Sequence, residues 1–263
     1  LRKGVEYSEN QSFLACIADA FKDTVDNEII TTSNMKEYLI ENLDIDLYSS
    51  YQNGNLVDLF APKKIDISNI EDTNINLNDY KHTMMYKRLF DTNADTNAIS
   101  DTNVFKNITK HKQYVYKVIL SMKEFIQYLR DDTIVIDHTY LWDMICEPHP
   151  FLFPKGLNLI ILDIGNDDTS KEVHVVCPTN RFSNKLLYDK SKPCLLLMKK
   201  NGFYEPLYEY EDLDTKTVLK KTFYLEKDII PELRRTLQII IQDQNKSCQP
   251  KKIIQTSTYP YKK

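Results

Sequence analysis

Glu9-Asn10-Gln11-Ser12-Phe13-Leu14-Ala15-Cys16-Ile17-Ala18-Asp19 is the stretch on which the fold turns. From Ser12 onward the apolar residues return at helical spacing. Phe13, Ile17, Ala20 and Phe21 share one face, with Leu14 and Val25 at its edge, which predicts a helix over residues 12–25. Ser33 is placed to cap a second helix over 35–43, with Glu37 as its capping-box partner.

Further along, residues 50–112 are the least regular part. An Asp-Thr-Asn tripeptide recurs at 72–74, 91–93, 95–97 and 101–103. All three residue types draw the backbone out of helix through local side-chain bonds, so the segment reads as surface loop or insertion, with a short helix around 80–90. Residues 113–130 then carry one apolar stripe (Val115, Val118, Ile119, Met122, Phe125, Ile126, Leu129) and predict a strong helix. A shorter helix is expected over 138–146, stopped by Pro148 and Pro150.

Beyond it the period changes. Residues 157–164 are a near-continuous apolar run, the pattern of a buried central strand, and 172–177 and 194–198 read as further strands. Asn201-Gly202 is a hairpin turn, returning as a strand over 203–210. A last amphipathic helix is predicted over 228–244. Ile229, Ile230, Leu233, Leu237, Ile240 and Ile241 form its stripe, and Pro231 falls in the tolerated first turn. Helices first, then a mostly antiparallel sheet, then a closing helix make an α+β domain over 1–246. A loose polar tail is expected over 247–263.

Composition narrows the function classes. The charged and apolar shares, 27% and 42%, are those of a globular protein. A net charge of −4 argues against a general nucleic-acid surface, while leaving room for a local basic patch. No apolar run approaches the ~20 residues of a membrane-spanning helix, so no membrane partner is expected. No signal peptide is visible, and a start at Leu1 fits a fragment of a larger protein. The five cysteines (16, 146, 177, 194, 248) are scattered without framework spacing, which predicts reduced thiols and an intracellular setting.

Residues 9–19 resemble the nucleophile segment of OTU-type cysteine deubiquitinases, whose usual pattern is Asp-Gly-Asn-Cys-Leu-Phe-Arg-Ala-Ile-Ala. Aligned without a gap, the nucleophile falls on Ser12, Glu9 takes the acidic position three residues earlier, and Asn10 stands where the family has glycine. Residues 142–164 resemble the family's Trp-containing helix and central strand. In the third segment, 192–210, Phe203-Tyr204-Glu205 is similar to the family's His-Tyr-Asp/Glu/Asn element. Phe203 there holds the base position, and Glu205 that of the residue orienting it. The resemblance implies a papain-like OTU-type fold in which thiol and imidazole are both replaced, and a binding surface at Asn10, Gln11, Ser12, Phe203 and Tyr204. Low glycine and abundant Asn, Ile, Lys, Asp and Tyr add a resemblance to proteins of large DNA viruses of eukaryotes, which implies host cytoplasm or virion as the location.

A serine hydroxyl is not ionised and needs a base within hydrogen-bond reach, and phenylalanine cannot accept a proton. Loss of both positions is expected to cost about 10⁶ in turnover, so no catalytic residue is expected. Cys16, one turn down the helix, is the least poor substitute nucleophile, but reads as a small core residue. Cys146-x-x-His149 and His174-x-x-Cys177 have metal-like spacing, yet the second pair points to opposite faces of a strand, so neither metal nor cofactor is expected. Tyr204, Tyr208 and Tyr210 fall on one face of the returning strand and Phe203 on the other. Three functions remain open: an inactive OTU-like binding or scaffolding module with ubiquitin or another viral or host protein as partner; an active cysteine isopeptidase whose nucleophile lies elsewhere; and a structural viral component that reuses the fold.

Overall fold

The computed structural model describes residues 4–21, 31–62, 75–90, 101–150, 152–165, 173–178, 188–213, 216–227 and 229–248. Of the tail expected over 247–263, Ser247 instead ends the last helix and Cys248 caps it, while 249–263 and the Asp-Thr-Asn repeats at 72–74, 91–93 and 95–97 lie outside the described residues. The chain forms two compact units, Ser33–Ile134 on one side and Leu1–Thr32 with Val135–Lys263 on the other.

The Ser33–Ile134 unit is helical. It holds most of α2 (Thr32–Glu41), then α3 (Ile45–Ser50), α4 (Asn55–Phe60), α5 (Met84–Phe90) and α6 (Asp101–Arg130). α6 buries Val115, Val118, Ile119, Phe125 and Leu129, the stripe legible in the sequence. It corrects the reading of 101–112 as irregular, because those residues are helical and the fourth Asp-Thr-Asn copy opens the helix. Once the 113–130 face is packed, each added residue gains a backbone bond at little cost, and an aspartate suits a helix N-terminus. α2 starts at Thr32, so Ser33 lies inside the helix rather than capping it. The Glu6 carboxylate instead accepts from the Thr32 N–H and hydroxyl at 2.7 and 2.9 Å. α5 is capped from a distance, by Asp46 accepting from the N–H groups of Met84 and Met85 at 2.8 and 2.7 Å. Buried Ser121 on α6 bonds the Tyr48 hydroxyl at 2.5 Å and the Val57 carbonyl at 2.9 Å, tying α3, α4 and α6 together.

The second unit is α+β. It contains α1 (Ser12–Phe21), α7 (His138–Cys146), β1 (Asn158–Ile164), β2 (Val173–Val175), β3 (Cys194–Lys200), β4 (Phe203–Leu207), β5 (Glu209–Leu213), β6 (Lys216–Lys220) and α8 (Pro231–Ser247). The main sheet has the order β2-β1-β3-β4, and β5 and β6 form a separate hairpin. β1 runs antiparallel to β2 and β3 antiparallel to β4, but β1 and β3 are parallel over seven residues, Asn158↔Cys194 to Ile164↔Lys200. The sheet is therefore mixed. The chain leaves β1, pairs β2 on one side, and crosses back to lay β3 on the other, which only a long connection permits. The expected strand over 203–210 divides at Tyr208 into β4 and β5, which belong to different sheets. The Asn201-Gly202 turn is present, with φ of 53° and 79°, the left-handed pair that a tight two-residue hairpin requires.

Leu159, Ile160 and Ile161 on β1 and Leu195, Leu196 and Leu197 on β3 are buried on both faces, as their unbroken apolar runs demand. One face is closed by α8, whose Leu237 and Ile241 join Ile160, Leu196, Phe223 and Leu225 in a single cluster. α1 is buried on nearly every side and packs against β4. Its far end is held by Asp19, whose carboxylate accepts from the Tyr208 hydroxyl at 2.6 Å and whose carbonyl accepts from Lys221 at 2.8 Å. Cys177, just after β2, is disulfide-bonded to Cys248 at the end of α8. This corrects the expectation of five reduced thiols. The partners are 71 residues apart, so no local spacing betrays them; the fold alone brings them together.

Candidate functional site

Ser12 is the first residue of α1 and is 3% exposed. Its Oγ accepts the backbone N–H of Tyr204 at 3.0 Å, so two positions singled out from the sequence meet although 192 residues separate them. β4 is the edge of the sheet, and in an antiparallel pair alternate N–H groups face away from the partner strand. Tyr204 and Pro206 occupy the outward-facing register. The first N–H is taken by Ser12, and the second does not exist because residue 206 is proline. The edge of β4 is thus closed to strand addition by one hydroxyl and one ring.

Ser12→Ala is expected to leave a buried, unpaired N–H on Tyr204 and to cost about 1–3 kcal/mol. Urea denaturation together with amide exchange at Tyr204 reads this. Unchanged stability and unchanged protection would show that water replaces the hydroxyl.

The Tyr204 side chain points the other way, into the core. Its ring meets Phe13 edge-on with centroids 5.3 Å apart, and its hydroxyl bonds His138 Nδ1 at 2.7 Å. His138 opens α7 directly after the capping Asp137, and its ring also packs edge-on against Phe13 and Trp142. Lys199, the cross-strand partner of Tyr204, stands 5.8 Å over the Tyr204 ring and pairs with Asp163 at 3.5 Å. Burial pushes the Tyr204 hydroxyl well above its ordinary range, with Asp137 and Asp163 adding to it. Burial also pulls the His138 imidazole down from 6.5, Asp137 opposing and Lys199 assisting. Both rings are accordingly neutral, and the hydrogen bond joins a phenol to an imidazole.

This has a pH consequence. A folded-state histidine with a depressed pKa binds fewer protons than the unfolded chain, so its contribution to stability is complete above about 6.5. That contribution is lost as pH falls through the window between 6.5 and the lower folded value. The urea midpoint is expected to drop on acidification in this range, and His138→Gln is expected to flatten that drop. An identical slope in the variant would remove His138 as its origin.

Phe203 lies on the opposite face of β4 from Tyr204 and stacks on Tyr7 at 6.1 Å. Tyr7 is 76% exposed and Phe203 half-buried, so this aromatic pair reaches the surface beside β4. Gln11 is buried, and its N–H donates to Ser8 Oγ at 3.1 Å. The Asn10 carbonyl accepts from Ile136 N–H at 2.9 Å. Asn10, which stands where the family has glycine, is not among the described residues with positive φ. Glu9 is exposed, and Glu205 is half-buried on the Phe203 face of β4. Of the tyrosines expected to share a face, Tyr204 and Tyr208 are buried while Tyr210, in the other sheet, is exposed.

Cys16 is 0% exposed. Its thiol is pushed far above the ordinary range by burial first, then by Asp19 and Glu205, the reverse of what a nucleophilic thiolate needs. Cys194, likewise buried, is raised to about 11 by the same cause. Among the described residues no group of three or more His, Cys, Asp or Glu is placed to hold a metal, and Cys177 is committed to its disulfide. No helix among them is long and apolar enough to cross a membrane.

Sequence reasoning named Ser12 and Tyr204 but missed His138. The Asp137-His138 step is readable as a helix start, yet nothing in the sequence ties residue 138 to residue 204. No protein-family model matches the chain, and no curated protein or solved structure matches it either.

Proposed function

We propose that the chain is an OTU-like domain that has lost hydrolysis and serves as a protein-binding module, with ubiquitin as the first ligand to test. One observation carries this reading: the start of a buried helix meets the strand after the Asn201-Gly202 turn through Ser12 Oγ and Tyr204 N–H. The contact joins the two segments that the resemblance pairs, though it runs to the Tyr204 N–H while the Phe203 ring stacks on Tyr7. The hydroxyl serves as a structural acceptor, and His138, the imidazole packed beside Phe13, is turned to Tyr204. Cys16 is too buried and too basic to favour the active-isopeptidase alternative.

Because Gln11, Ser12 and Tyr204 are buried, they serve as support, and contact falls to the rim formed by Tyr7 and Phe203. A ubiquitin probe with a C-terminal electrophile is expected to give no adduct, while isotope-labelled ubiquitin is expected to show saturable shifts on titration. Tyr7→Ala, at an exposed site, is expected to weaken that binding about tenfold, the scale of an aromatic anchor. A covalent adduct would restore the enzyme reading. Absence of any ubiquitin shift would leave the structural-component reading in its place.

A further inference from the structure

We propose that the second unit carries a binding site for a small, multiply charged phosphorylated anion, in the paired hollows on either side of Lys155. This site is separate from the α1–β4 junction and does not depend on the function proposed for it.

Two adjoining concavities of about 410 and 430 Å³ share Lys155 as a common wall. Their linings contain Lys155, Lys190, Lys220, Lys221 and Lys227, five lysines against the single carboxylate of Glu226. In a chain of net charge −4 this is a local reversal of sign. The volumes lie in the lower part of the range for small-molecule sites.

Four of these cations are held in place, Lys155 by a neutral acceptor and the others with a carboxylate nearby. Lys155 donates to the Tyr224 hydroxyl at 3.3 Å and sits 5.7 Å over its ring, which fixes the ammonium without cancelling its charge. Lys221 is buried and donates to the Asp19 carbonyl at 2.8 Å, with the Asp19 carboxylate further off at 3.8 Å. Lys190 is paired with Glu226 at 3.1 Å and Lys220 with Glu209 at 3.7 Å, pairs that an incoming anion can share.

The turn presenting Lys155 is itself constrained. Gly156 has φ of +74° and donates to the Phe153 carbonyl at 2.7 Å; a Cβ there would lie 2.6 Å from the Cys146 carbonyl. An ammonium group is a compact point charge suited to phosphate oxygens, and fixing it beforehand lowers the cost of binding. Two hollows flanking one fixed lysine favour a ligand with at least two phosphate groups over a single inorganic ion.

Tripolyphosphate is the probe. Titration calorimetry with the intact chain at low ionic strength is expected to show saturable binding that weakens with added salt, because exposed charges are screened within about 10 Å at 0.1 M. Lys155→Ala is expected to weaken binding about tenfold or more, and Lys155→Arg to retain most of it. Lys123→Ala, at an exposed position of α6, serves as the control and is expected to change nothing. Lys155 is exposed, so its variants should keep the wild-type melting temperature without ligand, which separates lost binding from lost fold. Co-sedimentation with phosphatidylcholine vesicles, with and without a phosphoinositide bisphosphate, distinguishes the sources. Binding to the free anion alone assigns a soluble ligand. Binding to the doped vesicles, displaced by tripolyphosphate, assigns a lipid headgroup; either supports the site. Absence of saturable binding to both probes, or equal weakening by Lys155→Ala and Lys123→Ala, would overturn it.

Discussion

Tyr204→Ala is expected to cost about 3–5 kcal/mol, the scale of removing a large buried aromatic side chain. Tyr204→Phe, which removes one oxygen, is expected to cost about 1–3 kcal/mol. The larger loss comes from the cavity left beside Phe13 and His138, whose rings pack against Tyr204. The smaller comes from a buried His138 Nδ1 stripped of its 2.7 Å partner. A domain stable by only about 5–15 kcal/mol gives up a large fraction of that in the alanine variant. Urea denaturation of the three proteins separates the two contributions. If the phenylalanine variant matches the wild type, the phenol–imidazole bond adds nothing to stability. The comparison also bears on the α1–β4 junction. The Tyr204 backbone holds Ser12 while its side chain holds His138, so looser packing at this residue should raise amide exchange at both contacts together.

How much of this was legible in the sequence depends on the range over which each feature is encoded. α7 and β1 follow from local period and sit where it places them, because an apolar stripe or an unbroken apolar run has one low-energy way to be buried. The length of α6 was not legible: the Asp-Thr-Asn composition of 101–103 argues against helix locally, and a helix already packed over 113–130 overrides it. The parallel pairing of β1 with β3 was not legible either, since a strand's residues carry its burial but not its direction. At the junction the sequence offered Ser12 and the strand beginning at Phe203, and the fold joins them. It did not offer His138, because a hydrogen bond between residues 66 apart leaves no periodic trace. Nor did it show that Ser12 and Pro206 together close the outer edge of β4. That role appears only once β4 is known to be the last strand of its sheet.

Removing the Cys177–Cys248 disulfide, by Cys177→Ser with Cys248→Ser, is expected to cost about 2–5 kcal/mol, the range for a native cross-link. In the chain-entropy account a closure spanning 71 residues lies near the upper part of that range, at about 4 kcal/mol. The closed loop contains β3, β4, β5, β6 and all of α8, so the unfolded chain regains freedom over a large part of the second unit once the bond is gone. In the folded state the consequence is more local. The end of α8 keeps the Gln244 side-chain bond to the Val176 carbonyl at 3.1 Å, and the cluster around Leu237 and Ile241. The helix should therefore stay docked while the global midpoint falls. Reduction of the wild type should reproduce the double variant in denaturant midpoint, and leave the double variant itself unmoved. A single variant, Cys248→Ser, exposes a free thiol at half-buried Cys177, countable by a thiol reagent without denaturant. Cys16 and Cys146 should stay silent there, because both are buried and held protonated far above the ordinary thiol range. Equal midpoints for the oxidised, reduced and doubly substituted proteins would mean that α8 is fixed by packing alone, and that closing the loop adds nothing to the stability of the second unit.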